Sequence, residues 1–213
     1  MGFTLIAALA LVASAPPAAL PQPEGYLVAR VAGPAVVVHG RPGGAPVREL
    51  GRQTEFGSPQ TLSVVRKRGN WLGVVTSTVA NGRIGWVRRS GLRYRHVSIK
   101  LEADLSRRTL TVKRGDAALR RIRIDIGAAS SRTPVGRYAV TDKLPGSRFS
   151  AVYGCCILAL SGHQGSRRLA IHGTPSGRVA GYANSEGCLH AKTSDLRYLM
   201  RFIPLGTPVF VHP

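Results

Sequence analysis

From Tyr26 onward, apolar residues come in short runs broken by Gly and Pro, not at the three- and four-residue spacing of helices. Tyr26 to Val31, Ala35 to Val38, Thr61 to Arg66, Trp71 to Thr76 and Gly82 to Val87 are each of strand length, and such pieces without a helical period predict a small barrel. From Val97 the texture changes to longer alternating segments: Val97 to Leu105, Thr109 to Lys113, Ala117 to Ile126, Arg137 to Thr141, Cys156 to Leu160, Arg168 to His172 and Thr207 to His212. In Arg121-Ile122-Arg123-Ile124-Asp125-Ile126 the period of two puts Arg and Asp on one face and Ile on the other, a half-buried strand. One segment reads as a helix: Thr193, Ser194 or Asp195 supplies the cap. Leu196, Leu199, Met200 and Ile203 follow at helical spacing as a core stripe, and Pro204 and Gly206 end it. The prediction is a mainly β chain with one late helix, divided into two domains.

Residues 1 to 20 carry no charged side chain, and Phe3 to Ala13 form an apolar run of secretory length ahead of Ala13-Ser14-Ala15. Such a segment fits an export signal over residues 1–19 and is short for a membrane span. A Pro- and Ala-rich linker, Pro16 to Gly25, separates it from the first strand.

Charge changes the picture more than composition does. Thirty Lys and Arg against ten Asp and Glu give a net charge of +20, which calls for an anionic partner. No aromatic-studded basic motif, zinc spacing or recognition-helix pattern accompanies it, and the charge is spread over both halves. Specific nucleic-acid binding is therefore not expected, and an anionic cell envelope is. No metal or cofactor is expected either.

The three cysteines are Cys155, Cys156 and Cys188, an odd number that leaves at least one thiol free. In an extended segment Cys155 and Cys156 would point to opposite faces, so two structural thiols are expected there, one of them in the core. Cys188 stands in Asn184-Ser185-Glu186-Gly187-Cys188-Leu189-His190, after the strand Leu169-Ala170-Ile171-His172 and the turn Gly173-Thr174-Pro175. A histidine closing a strand and a thiol opening a later loop supply a base and a nucleophile. Pairing with the imidazole would lower the thiol pKa, and backbone amides beside Gly187 would serve an oxyanion. By themselves a lone Cys and a lone His fit buried structural roles as well.

His-Gly-Thr at 172–174, twelve residues between His172 and Ser185, and then Ser-Glu-Gly-Cys resemble the signature of L,D-transpeptidases of the YkuD type. Gly127 followed by Thr133-Pro134-Val135-Gly136-Arg137-Tyr138, and the closing helix with Gly206-Thr207-Pro208-Val209, are similar to flanking motifs of that family. The resemblance implies a β-sandwich with one late helix over residues 97–213. Within it Cys188 would be the nucleophile and His172 the base, oriented by the Gly173 carbonyl. The amides of Gly187 and Cys188 would form the oxyanion hole, with Ser185 bracing the loop. Peptidoglycan stem peptides would be the substrates and a carbapenem β-lactam an inhibitor. Two positions depart from the family's pattern: Glu186, read as a rim residue, and His190, where Arg or Asn is usual, which would hold the loop or a polar group of the substrate only in part, or merely cap local backbone. Upstream, Val38-His39-Gly40, Gly69-Asn70-Trp71 and Gly85-Trp86-Val87 resemble the bacterial SH3-like domain, implying such a barrel over residues 26–95. Trp71 and Trp86 would be core or edge aromatics within it.

The implied activity is peptidoglycan cross-linking by an exported, cysteine-dependent acyltransferase. The alternatives are an L,D-carboxypeptidase, with water in place of the acceptor amine, and a catalytically weak wall-binding protein. Sortases also place His before Cys but need a distant Arg and a different spacing; papain-like endopeptidases place Cys first. Arg132, Tyr153 and the Arg-rich strand are candidates to line a groove for acidic stem peptides, a solvated face being the alternative.

Overall fold

The structure is a computed structural model that describes residues 25–177, 179 and 181–213; the export signal expected at residues 1–19 lies outside the described residues. Seven strands make the first sheet: β1 (Tyr26–Val31), β2 (Ala35–His39), β3 (Pro46–Gly51), β4 (Thr61–Arg68), β5 (Trp71–Val75), β6 (Gly85–Arg88) and β7 (Leu92–Val97). They run in the order β3-β2-β6-β5-β4-β1-β7. Alternate residues Ala29, Val31, Val36, Val38, Leu62, Val64, Leu72, Val74 and Val87 form their core, as the period of two requires. Trp71 and Trp86, on the inner strands β5 and β6, are half-buried; Trp71 lies under the Arg88 guanidinium, 4.6 Å from the ring centre. Two strands of this sheet are not marked in the sequence. β3 is almost wholly exposed, and β7 buries little beyond Val97, so neither carries an alternating pattern. Both are outer strands, where a leading Pro and exposed charges are suited to an unpaired edge.

The second sheet contains β8 (Ile99–Asp104), β9 (Thr109–Arg114), β10 (Ala117–Gly127), β11 (Gly136–Pro145), β12 (Cys156–Gln164), β13 (Arg167–His172), β14 (Ala183–Ser185), β15 (Leu189–Ala191) and β16 (Pro208–His212). Its order is β14-β10-β15-β13-β12-β11-β16-β8-β9, and β9 pairs in turn with β10. The two layers of the expected sandwich are thus one sheet bent into a ring. The long β10 makes this possible: residues 117–123 pair with β9 and residues 124–125 with β15. One helix, α1 (Thr193–Phe202), buries Leu196 and Leu199 and, with Ile203, joins the core of Leu101, Leu110, Ile122, Tyr138, Leu158 and Ile171. Each such fully buried aliphatic side chain contributes about 1.5–3 kcal/mol.

Three expectations need correction. The helix begins after Lys192, with no side-chain cap, because the Asp195 carboxylate is instead held by Arg120 Nε and Nη2 at 2.8 and 2.6 Å. The Arg and Asp face of β10 is not open throughout: Asp125 stays on the side opposite Ile124, yet it is buried there because the Gly181 and Tyr182 amides close over its carboxylate. Cys155 and Cys156 are joined in a disulfide rather than left as thiols. Cys155 sits in the turn ahead of β12, so strand alternation does not drive the two side chains apart. Cys188 is the free cysteine.

The two sheets touch through specific bonds. Asn81 Nδ2 donates to the His163 carbonyl at 2.6 Å, and His163 N–H donates back to Asn81 Oδ1 at 3.0 Å. Arg95 Nη2 donates to the Leu205 carbonyl at 2.9 Å. From the β3–β4 loop, Thr54 donates to Asp142 and Glu55 pairs with Arg168.

Candidate active site

β13 and β15 are parallel neighbours in the register Ile171↔Leu189 and His172↔His190. The period of two then sorts their residues. Leu169, Ile171, Leu189 and Ala191 enter the core, while Arg168, Ala170, His172, Cys188 and His190 face an open cleft of about 550 Å³. Histidine and cysteine, separated by a loop in sequence, open on one cleft because the strand after the loop lies alongside the strand before it.

His172 is 5% exposed. Its Nδ1 is 2.7 Å from the Gly173 carbonyl; a carbonyl only accepts, so Nδ1 carries the proton and Nε2 is left as the basic nitrogen. Gly173 N–H donates to the Tyr153 carbonyl at 2.9 Å, and a Cβ on Gly173 would come within 3.0 Å of that oxygen. The Tyr153 ring meets the imidazole edge-on, centroids 5.0 Å apart. Burial foremost, and then the neighbouring His190, push the His172 pKa down to about 4, so the imidazole is neutral at pH 7.

Cys188 is half-buried, and its Sγ lies 3.9 Å from the Arg168 carbonyl. Burial pushes this thiol up, against smaller opposing effects from the Ala170 backbone and the Arg167 charge. The expected lowering by an imidazole partner is therefore not found: desolvation disfavours both ions, and the pair rests as thiol and neutral imidazole. The loop before it is held by Ser185, whose hydroxyl donates to the Cys188 carbonyl at 2.5 Å and accepts the Gly187 amide at 3.1 Å. Gly187 has φ +112°, and a Cβ there would stand 2.6 Å from Gln164 Cγ, a position only glycine fills without strain. The Gly187 amide is thus occupied in this arrangement. Glu186 is exposed and pairs with Arg167.

His190 lies between two partners. Its ring is 4.5 Å from that of His172, and its Nδ1 is 3.9 Å from Asp125 Oδ2. Burial lowers its pKa, with Asp125 opposing. Asp125 was not singled out by sequence. Its Oδ1 accepts the amides of Gly181 and Tyr182 at 2.8 and 2.7 Å, tying the segment before β14 to β10. The signal was a lone carboxylate in an Arg-rich strand; alternation placed it correctly on the face opposite Ile124, but not under the segment that covers it. The Gly127 and Thr133 motif also acts through backbone: Thr133 Oγ1 accepts Gly127 N–H at 2.9 Å, and Ala128 N–H and Ser131 Oγ each donate to the Ser185 carbonyl at 2.9 Å. This turn braces the cysteine loop. The cations at the cleft are Arg167 and Arg168; Arg132 is exposed elsewhere, and Arg120, Arg121 and Arg123 line a different depression beside Lys192. Among the described residues no cluster of His, Cys, Asp or Glu is suited to a metal ion.

The model of the L,D-transpeptidase catalytic domain, YkuD, matches residues 98–211, more than half of the chain. The chain belongs to the L,D-transpeptidase family. A YkuD-type L,D-transpeptidase of Bacillus licheniformis is 26% identical to it over 117 residues, 55% of this chain and 67% of that protein. Among solved structures, an L,D-transpeptidase from Mycobacterium tuberculosis H37Rv is 20% identical, covering 63% of this chain and 67% of its own, with a TM-score of 0.47. L,D-transpeptidase 3 of Mycobacterium tuberculosis, solved with a faropenem-derived adduct, is 18% identical over 61% of this chain and 73% of its own, with a TM-score of 0.45. The matched L,D-transpeptidase region begins at the last residue before β8. Phe56, which lines the cleft, therefore falls outside it.

Proposed function

We propose that this protein is an exported peptidoglycan L,D-transpeptidase in which Cys188 is the nucleophile and His172 the general base. The observation that carries the reading is a thiol and a tautomer-fixed imidazole on one face of the paired strands β13 and β15, opening on one cleft. His172 Nε2 takes the thiol proton as Sγ bonds to the carbonyl carbon of the L-centre, which becomes a tetrahedral oxyanion. The carbon–nitrogen bond then breaks, the imidazolium gives its proton to the departing D-residue's amine, and a thioester remains. An acceptor amine attacks the thioester, yields a proton to His172 and leaves as the cross-link; the proton returns to the sulfur. Starting from two neutral groups avoids holding a buried ion pair between turnovers. The Cys188 amide is the oxyanion donor, and that of Gly187 joins it when Ser185 releases it. Gly173 orients the base, and His190 supports it through its contact with the ring.

The N-terminal sheet, residues 26–95, is read as an SH3-like module that associates with the wall, and the net charge of +20 as attraction to an anionic envelope. Residues 1–19 are read as its export signal and residues 97–213 as the catalytic domain. Intact-protein mass spectrometry with a carbapenem tests the central claim: one adduct on the native chain and none on Cys188→Ala is expected. Absence of an adduct on both would favour a wall-binding protein without chemistry. Incubating a stem peptide with and without an amine acceptor then separates cross-linking from L,D-carboxypeptidase activity.

A further inference from the structure

The β3–β4 loop, residues 52–60, belongs to the first sheet by connectivity and reaches the cleft of the second. Thr54 organises it. Thr54 Oγ1 accepts the amides of Phe56 and Ser58 at 3.2 Å each, its N–H donates to the Ser58 carbonyl at 2.9 Å, and its hydroxyl proton goes to Asp142 Oδ1. A hydroxyl taking up amides ahead of it fixes a tight turn. This turn offers Glu55 and Phe56 to the second sheet.

Glu55 pairs with Arg168. The same guanidinium donates to the Leu160 carbonyl at 3.1 and 2.9 Å and to Thr141 Oγ1 at 3.0 Å. Arg168 is therefore largely engaged, and it is its backbone carbonyl that lies near the Cys188 sulfur. Phe56 meets Phe149 edge-on, centroids 5.8 Å apart, and packs on Leu144, Ile157 and Ala170 in a cluster that also touches Tyr153 and Cys188. Phe56 is half-buried and lines the cleft. One side of the cleft is thus apolar and ends at the nucleophile, and one of its large rings is lent by the other sheet.

We propose that Phe56 is a substrate-selecting residue: with Leu144, Phe149, Val152 and Ile157 it forms an apolar subsite for the aliphatic part of the stem peptide beside the bond that Cys188 attacks. Thr54 and Glu55 are positioning residues that hold it there. This rests on the acyl-transfer reading above. An apolar wall next to a reacting centre favours an apolar group over water by the area it covers, and with Arg168 committed to Glu55 the selection on this side is by shape and apolar contact, not by charge.

The test uses the full-length protein, a synthetic stem tetrapeptide ending in a D-residue, and iodoacetamide as an alkylating probe too small to need the subsite. Phe56→Ala is expected to raise KM about 10–100-fold with kcat within about threefold, while Cys188 alkylates at close to the native rate; Phe56→Leu recovers most of the loss. Glu55→Gln gives a smaller rise in KM at unchanged kcat, and Glu55→Asp restores it. A native KM in Phe56→Ala overturns the proposal. If the native protein does not turn over the peptide, the acyl-transfer reading has failed. Calorimetric binding of the peptide to Cys188→Ala, with and without Phe56→Ala, then decides the subsite: weaker binding in the double variant supports it, and equal or absent binding overturns it.

Discussion

The cleft has two walls that reach the same sulfur by different routes. One is built within the second sheet by β13, β15 and the turns that brace them, and most of it lies in short motifs: His172 with Gly173, Ser185 with Gly187 and Cys188, Gly127 with Thr133. The other is an apolar wall of Leu144, Phe149 and Ile157 completed by Phe56, which a nine-residue loop of the first sheet, 52–60, brings without a motif, held by Thr54 on Asp142 and Glu55 on Arg168. On the proposed reading the first wall makes and breaks bonds, and its geometry is fixed by backbone, so glycine and hydroxyl positions are stringent. The second, as proposed, selects what reaches them, and any sequence that closes the turn and presents an apolar ring would serve. Motifs in this chain report chemistry, not choice of substrate.

Changes to the first wall should therefore be the more severe. Cys188→Ala is expected to lower acyl transfer by at least about a thousandfold, and His172→Gln by about 10²–10⁴-fold, measured as release of the terminal D-residue. Activity in Cys188→Ala at the native level would overturn the roles given to this wall. Next in size is a pH effect. His172, buried and pushed down to about 4, binds its proton in the unfolded chain before it does so in the folded one. Stability thus rises with pH between about 4 and 6.5 and is lost as pH falls through that window, by up to about 3 kcal/mol. Urea unfolding at both ends should show this slope, reduced in His172→Gln. Alkylation of Cys188 should rise with pH to a midpoint above that of an ordinary thiol, since burial holds its pKa up.

The second wall gives a smaller signal. Thr54→Val leaves the Asp142 carboxyl without the hydroxyl that reaches it, at a cost of about 1–3 kcal/mol in urea unfolding; no change would mean that the loop does not depend on this bond. The smallest effect is expected at the rim. Glu186→Gln removes an exposed pair with Arg167 and should change stability by less than about 0.5 kcal/mol and turnover little.

Sequence carried the chemistry further than the architecture. The strands with alternating burial, the helix stripe of Leu196, Leu199 and Ile203, and the Cys188 and His172 segments were all legible, because each is a local pattern. The strands β14 and β15, three residues each, are too short to carry a pattern, and the orientation of His190 toward the cleft became visible only with β15. Asp125 keeps the face that alternation gives it, but its burial under Gly181 and Tyr182 comes from a segment more than fifty residues away, which no local pattern encodes. The pairing of β9 with β10 that closes the ring, and the bonds from Thr54 and Glu55, join residues far apart in the chain, so composition and spacing carry no trace of them. The disulfide at Cys155–Cys156 was hidden by the assumption of an extended strand one residue too early.

The bond between Thr54 and Asp142 also bears on the order of assembly. It spans 88 residues of chain, and Asp142 is fully buried, with Oδ2 lacking a hydrogen-bond partner among the described residues. Before the loop arrives this carboxyl can rely on water, and covering it by the first sheet without the Thr54 hydroxyl would be costly. The two sheets are then expected to complete folding together and to melt in one transition, with distant contacts of this kind slowing the final step.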